Sequence, residues 1–119
     1  MFIGHFAVAF AAKKLSPRTS LGTLVLAAEW IDFIFPVLIL AGLEHAGIKP
    51  GANAFLRLDL TDYPISHSLA AVLGWSVLLG GGVLWRTRDR TAALVVGAAV
   101  LSHWLLDFVT HTPDMPLWP

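Results

Sequence analysis

Residues able to bind a cation or move a proton sit inside, or at the rim of, stretches that are otherwise apolar. Glu29 and Asp32 interrupt the run 21–43, His67 opens the run 65–85, and His103 and Asp107 lie within 91–110. His5 stands near the start of the apolar run 2–15. An ionisable side chain at a bilayer centre costs roughly 2.5–3.5 kcal/mol on insertion scales, so unpaired acids would weigh heavily on a short chain. Acids and imidazoles that satisfy one another, most simply around a metal ion, reduce that cost.

The spacings narrow the chemistry. His103-x-x-x-Asp107 places an imidazole and a carboxylate one turn apart on one helical face. That suits two ligands of one cation, and equally a hydrogen-bonded pair in which Asp107 fixes the histidine tautomer. Glu29 and Asp32 are i, i+3 neighbours, and carboxylates so close share a proton unless a cation neutralises them. Asp32 is the better ligand candidate, with Glu29 as a general base or a group behind the ligands. The alternative is a pair of protonated acids bonded to neighbouring helices. In Ser66-His67-Ser68 the histidine is a ligand candidate flanked by helix-capping hydroxyls. A serine nucleophile with a histidine base is the other reading, but adjacent residues leave a helix on different faces, which is poor geometry for such a pair. His5 is a lone histidine after Gly4. His111 continues the His103 stripe at the helix end, and His45 beside Glu44 sits in a polar connection where solvation suffices.

The elements that must position these residues follow from composition and breakers. Of 119 residues, 56% are hydrophobic and 13% charged, with mean hydropathy +0.71; a soluble domain carries about 25% charged residues. The expected solvent for most of the surface is therefore lipid, and the length supports one domain, 1–119. Zero net charge gives nucleic acid no handle. With no cysteine, any metal is held by nitrogen and oxygen, which favours zinc, manganese or iron. Helices are predicted over 2–15, 21–43 with Ser20 as its cap, 65–85 and 91–110. Ser16-Pro17 closes the first, Pro36 is expected to kink the second, and Pro64 opens the third. The small residues Ser66, Ala70 and Gly74 would let a neighbour approach the His67 face, and Gly80-Gly81-Gly82 would make the far end of that helix pliable. The segment 44–64 reads as a polar connection in which Phe55-Leu56 could dip into an interface. The apolar start lacks a preceding basic region, the wrong polarity for a signal peptide. The turn-rich stretch 112–119 ends without a terminal element, so the natural chain is expected to continue.

Basic connections orient such a bundle. Lys13, Lys14 and Arg18 follow the first helix and Arg86, Arg88 and Arg90 the third, which places both at the cytoplasmic side of an up-down four-helix arrangement. Measured from that side at 1.5 Å per residue, His5, Asp32, His67, His103 and Asp107 lie roughly 14, 17, 27, 18 and 24 Å up. All five fall in the outer half of the layer.

Gly4-His5, the acidic stretch ending in Asp32, Ser66-His67-Ser68 and Ser102-His103-x-x-x-Asp107 occur in an order that resembles a bacterial membrane-bound metal-dependent hydrolase family, itself distantly similar to zinc-dependent phospholipase C. The resemblance covers residue 4 to about residue 116, including the tail from Thr110 to Leu117. It implies His5, Asp32, His67, His103 and Asp107 as metal ligands. Of the stretch 28–32, only Asp32 matches the family's Pro-Asp-x-Asp motif.

The expectation is thus an all-α polytopic membrane bundle of four apolar helices in a bacterial inner membrane, with its site facing outward. It would hold one or two divalent cations, zinc foremost, with Glu29 and Asp32 as catalytic carboxylates. A lipid, or another amphiphilic ester or phosphoester, would be hydrolysed there. The alternatives are a haem held by His67 and His103 for electron transfer, and a proton-relaying or transporter subunit.

Overall fold

A computed structural model describes residues 2–48, 58–110 and 116–119. Its elements in order are α1 (Phe2–Leu15), α2 (Leu21–Ala28), α3 (Trp30–Leu40), β1 (His45–Ile48), β2 (Leu58–Asp62), α4 (Pro64–His67), α5 (Leu69–Thr87) and α6 (Arg90–Thr110). Helix α6 is the hub. Its small and apolar face, with Ala92, Ala93, Val96, Ala99 and Val100 all buried, packs on α1, α2 and α5. Leu24, Ala27, Ala28 and Ile31 of α2 and α3 and Val72 of α5 complete the core around Trp104.

Two predicted helices are each broken in two. The 21–43 segment breaks at Glu29 (φ −97°, ψ 3°), where α2 and α3 meet at a 57° bend, and not at Pro36, which lies within α3. The 65–85 segment breaks at Ser68, whose extended backbone ends α4 and whose hydroxyl accepts the Ala71 N–H to start α5. The first two amides of α5, Leu69 and Ala70, donate to the carbonyls of Pro116 and Leu117, so the C-terminal segment fills a helix end that would otherwise lack partners. Both breaks occur beside residues that face the acidic and imidazole side chains.

The 44–64 connection contains an antiparallel hairpin, β1 with β2, with His45 opposite Asp62 and a register shift after His45. Gly42, at φ 71°, takes the left-handed conformation that ends α3, and Leu43 N–H closes onto Leu38 O. The chain thereby turns Glu44 into the interior ahead of β1. Phe55-Leu56, His111 and most of the 110–117 tail lie outside the described residues.

The close helix approach is elsewhere than on the Ser66, Ala70, Gly74 stripe: Gly74 is exposed with open space around it. It lies where Gly80 meets the Ala93 carbonyl and Ser76 Oγ donates to Gly97 O at 2.7 Å. The glycine run is continuous helix, and Gly80 is there because a Cβ would stand 2.9 Å from the Ala93 oxygen. Gly80→Ala is therefore expected to lower stability by about 1–3 kcal/mol through overpacking. Metal binding should be unchanged, since Ala93 lies ten residues, roughly 15 Å, from His103; denaturant melts of both proteins check this.

The four-span bundle is not what forms. Among the described residues, only α5 and α6 are long and apolar enough to cross a membrane, with a third span only if the bent α2–α3 pair counts as one. Helix α1, at 14 residues, is about 21 Å long, short of the roughly 30 Å hydrocarbon layer. The radius of gyration is 14.8 Å, near the roughly 13–14 Å of a compact domain of this length. The membrane-embedded bundle is overturned by this shape. The expectations built on it go too: a bilayer as partner, an inner-membrane location and a membrane lipid or phosphoester as substrate. What survives of the basic-loop reading is their proximity: Arg18, Arg86 and Arg88 line one cavity.

Candidate metal centre

The cost that the sequence assigned to lipid falls instead on the protein interior. His5 and His103 are fully buried, and His67 and Asp107 nearly so. They come from α1, α4 and α6, with Asp32 from the first turn of α3. His5 Nε2 lies 3.3 Å from Asp107 Oδ1, and His103 Nε2 lies 3.3 Å from Asp107 Oδ2. His103 Nε2 is also 3.4 Å from Asp32 Oδ1, which is 3.7 Å from His67 Nε2. Two donor sets result, His5/His103/Asp107 and Asp32/His67/His103, with His103 common to both.

These separations are informative. A direct N–H···O bond spans about 2.7–3.2 Å. Ligand atoms at about 2.0–2.2 Å from a tetrahedral ion are about 3.3–3.6 Å apart along each edge. The observed values, 3.3 to 3.7 Å, lie at or just above the edge length of a coordination tetrahedron and are longer than a typical N–H···O bond. The five side chains therefore form a cluster able to chelate a divalent cation, whose charge two carboxylates would neutralise.

Each imidazole is oriented by its neighbours. His103 Nδ1 lies 2.8 Å from the Ala28 carbonyl, the last of α2, which the bend at Glu29 leaves without a helical partner. With Nδ1–H so committed, Nε2 is the nitrogen that carries the lone pair once the ring is neutral, and it has no hydrogen-bond partner of its own. The His5 and His103 rings stack at 3.7 Å with 6° between planes, so both Nε2 atoms address the same carboxylate. His67 is edge-on to Phe35, Tyr63 and His103. Among the five, Asp32 is the accessible donor, its side chain 32% exposed, so solvent reaches the cluster from the α3 side. A haem between His67 and His103 would meet that carboxylate, which stands within 3.7 Å of both rings.

Electrostatics follow from this packing. Burial alone would lower the His103 pKa, but its contacts with Asp107 and Asp32 prevail and push it up to about 9. Burial alone would raise Asp32 and Asp107; the facing imidazoles, His103 foremost, instead hold both well below the usual carboxylate range. Metal-free protein should therefore depend on pH in two directions. The His103 contribution, on the order of 3 kcal/mol, is complete below pH 6.5 and lost as pH rises towards about 9. That of the aspartates is present above pH 3.8 and lost as pH falls below it. Melting temperatures in chelator across pH 3–10 are expected to peak between about 4 and 6.5.

Glu29 stands at the bend, outside both donor sets. Its two carboxyl oxygens are buried without hydrogen-bond partners, and burial, then the charge of Asp32, raises its pKa. It is not paired with Asp32 as a proton-sharing couple. Ser66 does not serve as a helix cap; that role belongs to Ser68. His45 is exposed and bonds Asp62 at 2.9 Å, remote in role from the cluster. Sequence reasoning missed Glu44, which is fully buried against Ser66; the only signal was its place at the start of the polar connection. The comparisons with known proteins supply no identity for this centre: no protein-family model, curated protein or solved structure matches the chain.

Proposed function

We propose that the protein is a metal-dependent hydrolase whose centre is built from His5, Asp32, His67, His103 and Asp107 around a single ion, zinc by preference. The observation that carries this reading is the set of 3.3–3.7 Å separations among buried imidazole nitrogens and carboxylate oxygens. One ion follows from His103: with Nδ1 committed to Ala28, its one free lone pair serves one cation, so the two donor sets describe one centre. An all nitrogen and oxygen donor set without thiolate suits zinc, and equally admits manganese or iron. The order of the motifs, resembling the bacterial metal-dependent hydrolases, points the same way.

The cation's contribution when bound is to lower the pKa of a coordinated water towards 7 and to polarise a scissile carbonyl. The chain's own residues do the rest. His5, His67 and His103 fix the donor geometry, Asp107 holds the stacked pair in place, and Asp32 keeps the accessible side polar. Glu29 is the candidate general base, because a carboxyl whose pKa is raised by burial accepts a proton nearer neutral pH. Glu29→Gln is expected to retain metal and to lose turnover by about 10²–10⁴-fold. Metal analysis of the purified protein, followed by assay of the zinc-loaded and chelated forms on chromogenic esters and amides, tests the reading. Stoichiometric metal with metal-dependent turnover supports it; hydrolysis that persists in chelator overturns it.

A further inference from the structure

Glu44 is fully buried, yet its carboxylate faces three donors: Oε1 receives the N–H groups of Ile65 and Ser66, and Oε2 the Ser66 hydroxyl, each at 2.7 Å. Ser66 Oγ in turn lies 2.7 Å from His67 Nδ1. A hydroxyl carries one proton. Since that proton goes to Glu44, Ser66 Oγ accepts from His67, and the proton of the neutral imidazole is on Nδ1. His67 Nε2 then presents its lone pair to the space beside Asp32.

We infer that Glu44, acting through Ser66, is a positioning residue that sets the tautomer of His67 and so makes it an Nε2 ligand. This rests on the metal-centre reading above. A simple helix cap is a poorer account, because capping needs only Oε1, and Oε2 is spent on the hydroxyl that touches the imidazole. His103 reaches the same tautomer through a neutral carbonyl, Ala28 O. His67 is steered through Ser66 by a buried carboxylate, which the turn at Gly42 delivers to α4.

The direction of the hydrogen bonds gives the test. In Glu44→Gln the amide oxygen can keep the two backbone donors while its NH₂ donates to Ser66 Oγ. The hydroxyl then donates to His67 Nδ1, and the ring proton moves to Nε2, where it blocks metal. In metal-free protein, ¹⁵N spectra of the imidazoles should show His67 protonated on Nδ1 in the wild type and on Nε2 in Glu44→Gln. Zinc affinity should fall about 10–100-fold. Ser66→Ala should leave the tautomers mixed and cost about tenfold, and adding Glu44→Gln to it should cost little more, since the connection is already cut. If Glu44→Gln does not fold, Ser66→Ala carries the same spectral test alone. An unchanged His67 tautomer in the variants, or additive losses in the double variant, overturns the inference. A switched tautomer in a protein that binds no zinc would instead sink the metal reading while leaving this relay intact.

Discussion

His103→Ala is expected to abolish tight zinc binding, lowering affinity by at least about 10²–10³-fold. Apparent free energies of about 10–16 kcal/mol for zinc held by four side chains correspond to roughly 2.5–4 kcal/mol per ligand. His103 stands above the average because it belongs to both donor sets. Its removal also leaves Asp32 and Asp107 without the imidazole between them, strips the Ala28 carbonyl of its donor and empties the space beneath the His5 ring. His5→Ala and His67→Ala, each touching one set, should lose less, and His45→Ala, exposed on the hairpin, nothing. Isothermal titration with zinc ranks the four. A ranking in which His103 is no worse than His45 would remove it from the centre.

The second large effect is thermal. A ligand that binds only the folded state stabilises by RT ln(1 + [L]/Kd), about 4 kcal/mol at a thousandfold excess over Kd. For a domain of this size that shifts the melting temperature by about 10–20 °C. Zinc should therefore raise the melting temperature of chelated protein by that amount at neutral pH. The shift should shrink steadily as pH falls below about 9, where a proton on His103 begins to compete with the ion. In Asp107→Asn the increment should largely vanish, because Asp107 contacts both stacked imidazoles. An increment that survives in Asp107→Asn would place the bound zinc elsewhere.

How far the sequence reads through to the structure depends on where each signal originates. His5, Asp32, His67, His103 and Asp107 stand out because an ionisable group in an apolar helix is costly whether its surroundings are lipid or protein. That is why their juxtaposition could be anticipated while their surroundings were misjudged. Low charge and high hydropathy cannot separate a helix facing lipid from one facing other helices, and α6, half buried within the molecule, shows the difference. The bend at Glu29 has no local signal, since the sequence around it is helix-compatible, with no glycine or proline within five residues. The bend coincides with the long-range bond from His103 to Ala28, 75 residues away in sequence. Ser68 is similar: its capping hydroxyl was visible, but that it breaks the helix became evident only where the C-terminal segment pairs with α5. Glu44 was least legible. A glutamate next to a histidine in a polar connection reads as solvated, and only the turn at Gly42 and the hairpin reveal it as buried.

The most direct test is X-ray absorption at the zinc edge on protein loaded with one equivalent of the metal. Five side chains around one cation predict a single bound zinc per chain with nitrogen and oxygen neighbours at about 2.0–2.2 Å, no sulfur, and outer-shell scattering from several imidazole rings. A zinc surrounded by water oxygens alone, without imidazole scattering, would contradict the account.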